Sequence, residues 1–200
     1  MGLTGVTHKK LPKARRRGQL LETAYAIVRE EGTEALTLGR LAERAGVSKP
    51  IAYEHFGTRS GLLMALYKEI DERHIAALVE ALSRAPRRLE DVARVASDAY
   101  MACYSSTGPQ AHAIAAALQG DGEMDAFHQG LVDNYVKLYC DMLAPYSDLS
   151  KKALHLHCVG LVGAADAISR EMIRARVSEE TAATTLASLI VKTLSAPRRA

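Results

Sequence analysis

Apolar residues recur along this chain with a period near 3.6, and no stretch alternates polar and apolar positions long enough to predict a strand. The spacing predicts a first helix from about Arg15 to Gly32, with Leu20, Ala24, Ile27 and Val28 on one stripe. Gly32 suits the left-handed position just past a helix end. A short second helix follows: Thr37 is placed as its N-cap, Leu38, Leu41, Ala42 and Ala45 share one face, and Gly46 stops it. Ser48 is placed to cap a third helix, which carries Pro50 in its first turn, where a missing N–H is not needed. Ala52 and Phe56, one turn apart, face inward, with Val47 packing the turn. "GTRS" at residues 57–60 breaks the chain again.

A long amphipathic helix is predicted from Ser60 to Pro86, with Leu63, Leu66, Tyr67, Ile70, His74, Ala77, Leu78 and Leu82 on its apolar stripe. Helical periodicity then covers about 89–106, 110–118, 123–143, 150–176 and 179–195, and the breaks are "STGP", "QGDGE", "APYSD" and "RVSEE". "SEE" gives the last helix a serine cap and two acids in its first turn, where the helix dipole favours them. The expected fold class is therefore all-α. A basic flexible arm (1–14) precedes a three-helix head (15–60), and a five- to six-helix body fills 61–200.

Composition narrows the class. With 48% hydrophobic residues in 200, the chain can bury a core without a metal or a disulfide. Cys103, Cys140 and Cys158 are odd in number and lie in apolar helical patterns, which reads as reduced thiols in a reducing compartment. No apolar run approaches the roughly 18 residues of a membrane span, and no signal peptide is visible, so a cytoplasmic protein with no membrane partner is expected. The net charge is only +3, but it is unevenly placed. Residues 1–60 carry 11 Lys and Arg against 6 Asp and Glu, while the remainder carries 15 against 17. A basic N-terminal part on a near-neutral body points to a polyanionic partner.

The short glycine-turned helix pair gives that partner a form. Two short helices joined at Gly46, the second starting polar, make a helix-turn-helix pattern, in which the first helix braces the second so that its N-terminus enters a major groove. The outer face of the second helix then offers Lys49, Pro50, Ile51, Tyr53, Glu54 and His55. "LLETAYAIVREEG", "TLGRLAERAGVSKPIAYEHF" and "GTRSGLLMAL", in this order and spacing over about Arg17 to Leu66, resemble the N-terminal domain of the TetR family of bacterial transcriptional repressors. The chain departs from that pattern at Thr33, where the family often has an aromatic residue, at Ala52, where a larger apolar residue is common, and at Ile51, where a small threonine-like residue is frequent.

Candidate DNA contacts follow. Lys49 can reach a guanine edge or a phosphate, and Ile51 can press on a thymine methyl or turn into the core. Tyr53 and His55 resemble the family's backbone contacts, with packing against the first helix the alternative for Tyr53. Thr37 can serve as both cap and phosphate donor; Arg40 and Arg59 are candidate phosphate clamps, and Ser48 and Pro50 complete the approaching turn. Glu54 is costly near phosphate unless it accepts from a cytosine amine or orients a cation, and the arm Lys9–Arg17 suits a minor groove or nonspecific affinity.

One helix-turn-helix reads few bases, so a homodimer on a pseudo-palindromic double-stranded operator is expected. The resemblance implies that the last two helices form a four-helix bundle with a partner. Gly160, Gly163 and Ala167 permit close approach, and Leu186, Leu189 and Ile190 form a stripe, although intramolecular core is the alternative for both helices. The family also implies a small-molecule effector held among the middle helices. Tyr100, Met101, Tyr104, Phe127, Leu131, Tyr135, His155 and Val159 are candidates to line that site, with core packing the alternative for each. Aromatic residues make up 5% and Trp is absent, which argues against an aromatic cage.

No cofactor or metal is expected. His155 and His157 lie about 200° apart on a helix, and His155 with Cys158 lacks a third ligand. No Ser, His and Asp stand in an order that suggests nucleophilic catalysis. A ligand-released repressor leads; a ligand-independent regulator, and an all-helical enzyme or carrier with an idle head, remain as alternatives.

Overall fold

The computed structural model describes residues 12–119 and 122–195. Most of the expected basic arm, residues 1–11, lies outside them. The described residues form helices without strands: α1 Lys13–Glu31, α2 Leu38–Arg44, α3 Lys49–Phe56, α4 Arg59–Ser83, α5 Leu89–Thr107, α6 Gln110–Leu118, α7 Gly122–Leu143, α8 Lys151–Ile173 and α9 Glu179–Ser195. Single 3₁₀ turns occupy Thr33–Ala35 and Ala144–Tyr146. The chain divides into two compact units, Met1–Leu66 and Tyr67–Ala200.

In the first unit, the predicted stripe Leu20, Ala24, Ile27 and Val28 is buried, joined by Leu36, Leu41, Ala52, Leu62 and Leu63. Each such leucine contributes about 1.5–3 kcal/mol on leaving water. The turn between α2 and α3 is a helix-ending motif of defined geometry. Gly46 sits at φ 64°, its N–H donates to the Glu43 carbonyl at 3.2 Å, and the Val47 N–H donates to Ala42 at 3.0 Å. This 5→2 and 6→1 pair closes α2 and requires a left-handed residue at position 46. Thr37 accepts from the Arg40 N–H at 3.1 Å, as expected of an N-cap. Ser48 holds the N-cap position of α3, but its side chain makes no capping bond, so that expectation is corrected. Thr58 supplies the cap that the sequence reading missed, accepting from the Gly61 N–H at 3.0 Å. A Cβ on Gly61 would stand 2.2 Å from the Phe56 carbonyl oxygen, so the α3–α4 corner closes only around glycine.

The second unit has its own core. Helix α5 lies along α9 and touches α8, α7 packs on α8, and α8 packs on α9. Leu78, Met101, Tyr139, Cys158, Leu186 and Ile190 lie within this core. Ser150 caps α8 and Ser178 caps the start of α9, accepting from the N–H groups of Ala153 at 3.3 Å and Thr181 at 3.1 Å. Helix α8 ends at Ile173 rather than near residue 176, because Ala175 adopts φ 56° and the Ala175 and Arg176 N–H groups turn back to Met172 and Glu171. This is the same closing motif as at Gly46, built without glycine. Ala77, placed on the apolar stripe of α4, is exposed instead. Cys140 and Cys158 are free thiols, and burial pushes the Cys158 thiol up to about 12, which keeps it unreactive.

Candidate nucleic-acid interface and body cavity

The first turn of α3 is offered to solvent. Lys49, Pro50, Tyr53 and Glu54 are exposed, Ile51 and His55 are half-buried, and Ala52 and Phe56 anchor the opposite face in the core. Tyr53 is 54% exposed, which leaves its hydroxyl open to a partner. The aliphatic end of Lys49 lies beside the start of α2: a Cβ on Gly39 would be 3.9 Å from both Lys49 Cε and Thr37 Oγ1. Lys49 and Thr37, twelve positions apart, therefore present a cation and a hydroxyl side by side. The Thr37 oxygen accepts inward while its O–H remains a donor. Lys49 has no ion-pair partner among the described residues.

Other cations are already engaged. Arg40 makes two bonds to the Glu31 carboxylate, at 3.0 and 3.1 Å, and a third to Glu43 at 3.1 Å. Arg44 joins Glu30 and Glu31, and these arginines hold both glutamates below the usual carboxylate range. Arg59 donates to the carbonyls of Leu36 at 3.0 Å and Thr33 at 2.8 Å, tying the 3₁₀ turn to the head. Arg17 donates to the His55 carbonyl at 2.9 Å and stands 4.9 Å above the Phe56 ring, bracing the end of α3. Glu54 faces Lys13 at 3.5 Å. Burial favours the neutral form of the His55 ring.

Within the second unit, a cavity of about 360 Å³ lies among α4, α5, α6, α7 and α8. Tyr67, Asp71 and His74 line it from α4, Tyr100 and Tyr104 from α5, His112 from α6, His128, Leu131 and Tyr135 from α7, and Val159, Gly163, Asp166 and Arg170 from α8. The rings touch one another. Tyr104 stacks on His112 at 4.7 Å, Tyr100 lies 5.0 Å from Tyr104 and meets Tyr135 edge-on at 6.0 Å, and Tyr67 lies 5.6 Å from His128. Burial lowers His74 to about 4 and shifts His112 and His128 downward, so all three favour the neutral ring. Asp166 pairs with Arg170 at 2.9 Å. Burial, with Glu72 adding repulsion, raises Asp71 to about 6, and Asp71 has no ion-pair or hydrogen-bond partner among the described residues.

Residues 20–66 match the family described as "Bacterial regulatory proteins, tetR family". The HTH-type transcriptional activator FasR of Mycolicibacterium smegmatis is 38% identical over 82 residues, covering 41% of this chain and 36% of that protein. The HTH-type transcriptional regulator BetI of Rhizobium meliloti is 31% identical over 103 residues, covering 45% of this chain and 51% of that protein. Residues 20–66 belong to this family. The matched part spans about a third to a half of these curated relatives, all of them regulators rather than enzymes. Its fold as a whole matches the crystal structure of a TetR-like transcriptional regulator from Rhodococcus sp. RHA1, with TM-score 0.72 and 21% identity over 94% of this chain and all of that one.

The structure sorts the sequence-derived candidates. Thr37, Ser48, Lys49, Pro50, Ile51, Tyr53 and His55 gather at the α2–α3 face. Arg40 and Arg59, read as candidate phosphate clamps, make internal bonds to carboxylates and carbonyls while remaining partly exposed. Tyr100, Tyr104, Leu131, Tyr135 and Val159 line the cavity; Met101, Phe127 and His155 do not. Met101 is sealed in the core and His155 points to solvent. Leu186 and Ile190 are also fully buried in their own chain, which removes them from a partner surface, whereas Leu189, Gly160, Gly163 and Ala167 are exposed. The low aromatic content misled: four of the eight tyrosines converge on the cavity, so an aromatic lining exists. Tyr67 and His74 were missed because they sit on the apolar stripe of α4, and Asp71 because a lone acid on a helix reads as a solvated position. Among the described residues, no group of three or more His, Cys, Asp or Glu could hold a metal, and no helix is long and apolar enough to cross a membrane.

Proposed function

We propose that this chain is a homodimeric transcriptional regulator of the cytoplasm, a repressor that grips a pseudo-palindromic duplex through the first turn of α3 and is released by a small molecule in the body cavity. The observation that carries this is the placement of Lys49, Thr37 and Tyr53. A cation without an ion-pair partner among the described residues, a hydroxyl donor and an exposed phenol share one face, and Arg17 holds that helix from behind. Lys49 is suited to a guanine edge and Thr37 and Tyr53 to phosphate oxygens. For dimerisation, support comes from an exposed small and apolar stripe on α8, Leu156, Val159, Gly160, Gly163 and Ala167. Leu156 is 68% exposed, which leaves apolar area for a partner to cover.

Release by an effector is supported by the run of α4. Its first residues belong to the head, and its later ones, Tyr67, Asp71 and His74, line the cavity. A ligand that favours one arrangement of those turns lowers operator affinity by the coupling free energy. Control of the opposite sign is favoured by the name of one relative, an activator. The test is to enrich fragments of genomic DNA on the purified protein, then to compare wild type with Lys49→Ala/Tyr53→Ala. Loss of binding in the double variant supports the reading, and undiminished binding refutes it.

A further inference from the structure

The cavity has a charge character that restricts what can occupy it. Among the described residues, its charged lining consists of Asp71, Asp133 and Asp166 against the single cation Arg170, and Arg170 is already paired with Asp166. The three histidines add no positive charge, because each is held toward its neutral form. A carboxylate ligand would therefore meet no free cation. Asp71, by contrast, is a half-buried carboxylate with no partner among the described residues, and it lines the same cavity as Tyr67, Tyr104 and Tyr135. An unpaired carboxylate away from bulk water is unfavourable unless a cation arrives to meet it. Tyrosine faces attract a desolvated cation, and they do so without the hydrogen-bond directionality that an ammonium in water demands. Beside them, the buried Nδ1 of His128 has no hydrogen-bond partner, a polar atom left for a ligand donor.

We propose that the cavity takes an organic monocation, a protonated or quaternised amine on a compact apolar body, with its charged centre at Asp71 among Tyr67, Tyr104 and Tyr135. The inference rests on the reading of this cavity as the effector site. A volume of about 360 Å³ suits a small ligand of this kind. Val132, Val136 and Val162 supply the apolar wall for its body. The ligand cation satisfies Asp71, and the rest of the molecule displaces water from the tyrosine rings.

The test uses three probes of similar size on the full chain: benzyltrimethylammonium, its neutral carbon isostere neopentylbenzene, and the anion 4-phenylbutyrate. Binding is followed by calorimetry and by tyrosine fluorescence, which no tryptophan obscures. The cation is expected to bind at least tenfold more tightly than either other probe. Asp71→Asn is expected to cut cation affinity at least tenfold and leave neutral binding within twofold, while Asp71→Glu retains the preference for the cation. Equal or tighter binding of the neutral or anionic probe overturns the charge assignment while leaving the cavity as an effector site. Cation binding indifferent to Asp71→Asn does the same. Failure of all three probes to bind overturns both. Should Asp71→Asn fail to fold, the order of the three probes on the wild-type chain decides alone.

Discussion

Removing the charge of Asp71 should stabilise the ligand-free protein. A carboxyl raised from 3.8 to about 6 is one whose folded environment opposes ionisation. At about 1.4 kcal/mol per pKa unit, that shift corresponds to about 3 kcal/mol, and solvent screening of a half-buried group reduces it to about 1–2 kcal/mol. The folded state binds the Asp71 proton more tightly than the unfolded state, so the penalty is absent below the unfolded value near 4 and complete above about 6. Asp71→Asn should therefore raise the melting temperature by a few degrees at pH 7.5, by the roughly 2–4 °C per kcal/mol that suits a chain of this size. At pH 4.5 the gain should fall to about a third, because Asp71 is then largely protonated in the folded protein. The neighbouring Glu72, Tyr67, Tyr104, Tyr135 and the three cavity histidines are common to both proteins and cancel in the difference. Calorimetric melting of the full chain at the two pH values measures it. No gain at pH 7.5, or a gain that does not shrink at pH 4.5, would refute the reasoning.

Three further outcomes follow from packing and backbone geometry. Gly61→Ala should destabilise the head by more than about 2 kcal/mol, seen as a lower midpoint in urea, because its methyl would meet the Phe56 carbonyl at 2.2 Å. Ala175→Gly should stabilise the body by about 1 kcal/mol in the same assay, since only glycine occupies φ 56° without a Cβ penalty. Leu156→Glu should shift the sedimentation of the protein from dimer to monomer with little change in melting, as that side chain faces solvent within its own chain.

Helix existence was legible in the sequence, because 3.6-residue periodicity and turn residues mark each segment. The predicted segment 110–118 coincides with α6, and 179–195 with α9. Boundaries were readable where a side chain does the capping, as at Thr37 and Ser178, and were misplaced where backbone alone closes the helix, as at Ala175. The outward face of α3 was legible from Ala52 and Phe56, whose spacing leaves Lys49 and Tyr53 no inward option. The internal bonds of Arg40 and Arg59 were not legible because their partners, Glu31 and the Thr33 and Leu36 carbonyls, lie up to 26 positions away. The cavity was least legible. Tyr67, Asp71 and His74 look like ordinary positions on one helix until α5, α7 and α8 bring their tyrosines, histidines and acids against them. Leu186 and Ile190 show the converse: a regular apolar stripe does not reveal whether its own chain or a partner covers it, and here α5 does.

The most direct test of the central claim is a titration of duplex DNA fragments enriched by the wild-type protein, at two salt concentrations, against wild type and Lys49→Ala/Tyr53→Ala. The account predicts tight wild-type binding that weakens steeply with salt, and at least a hundredfold loss in the double variant, with its helical content unchanged by circular dichroism. A correctly folded double variant that binds the same fragments as tightly as wild type would contradict it.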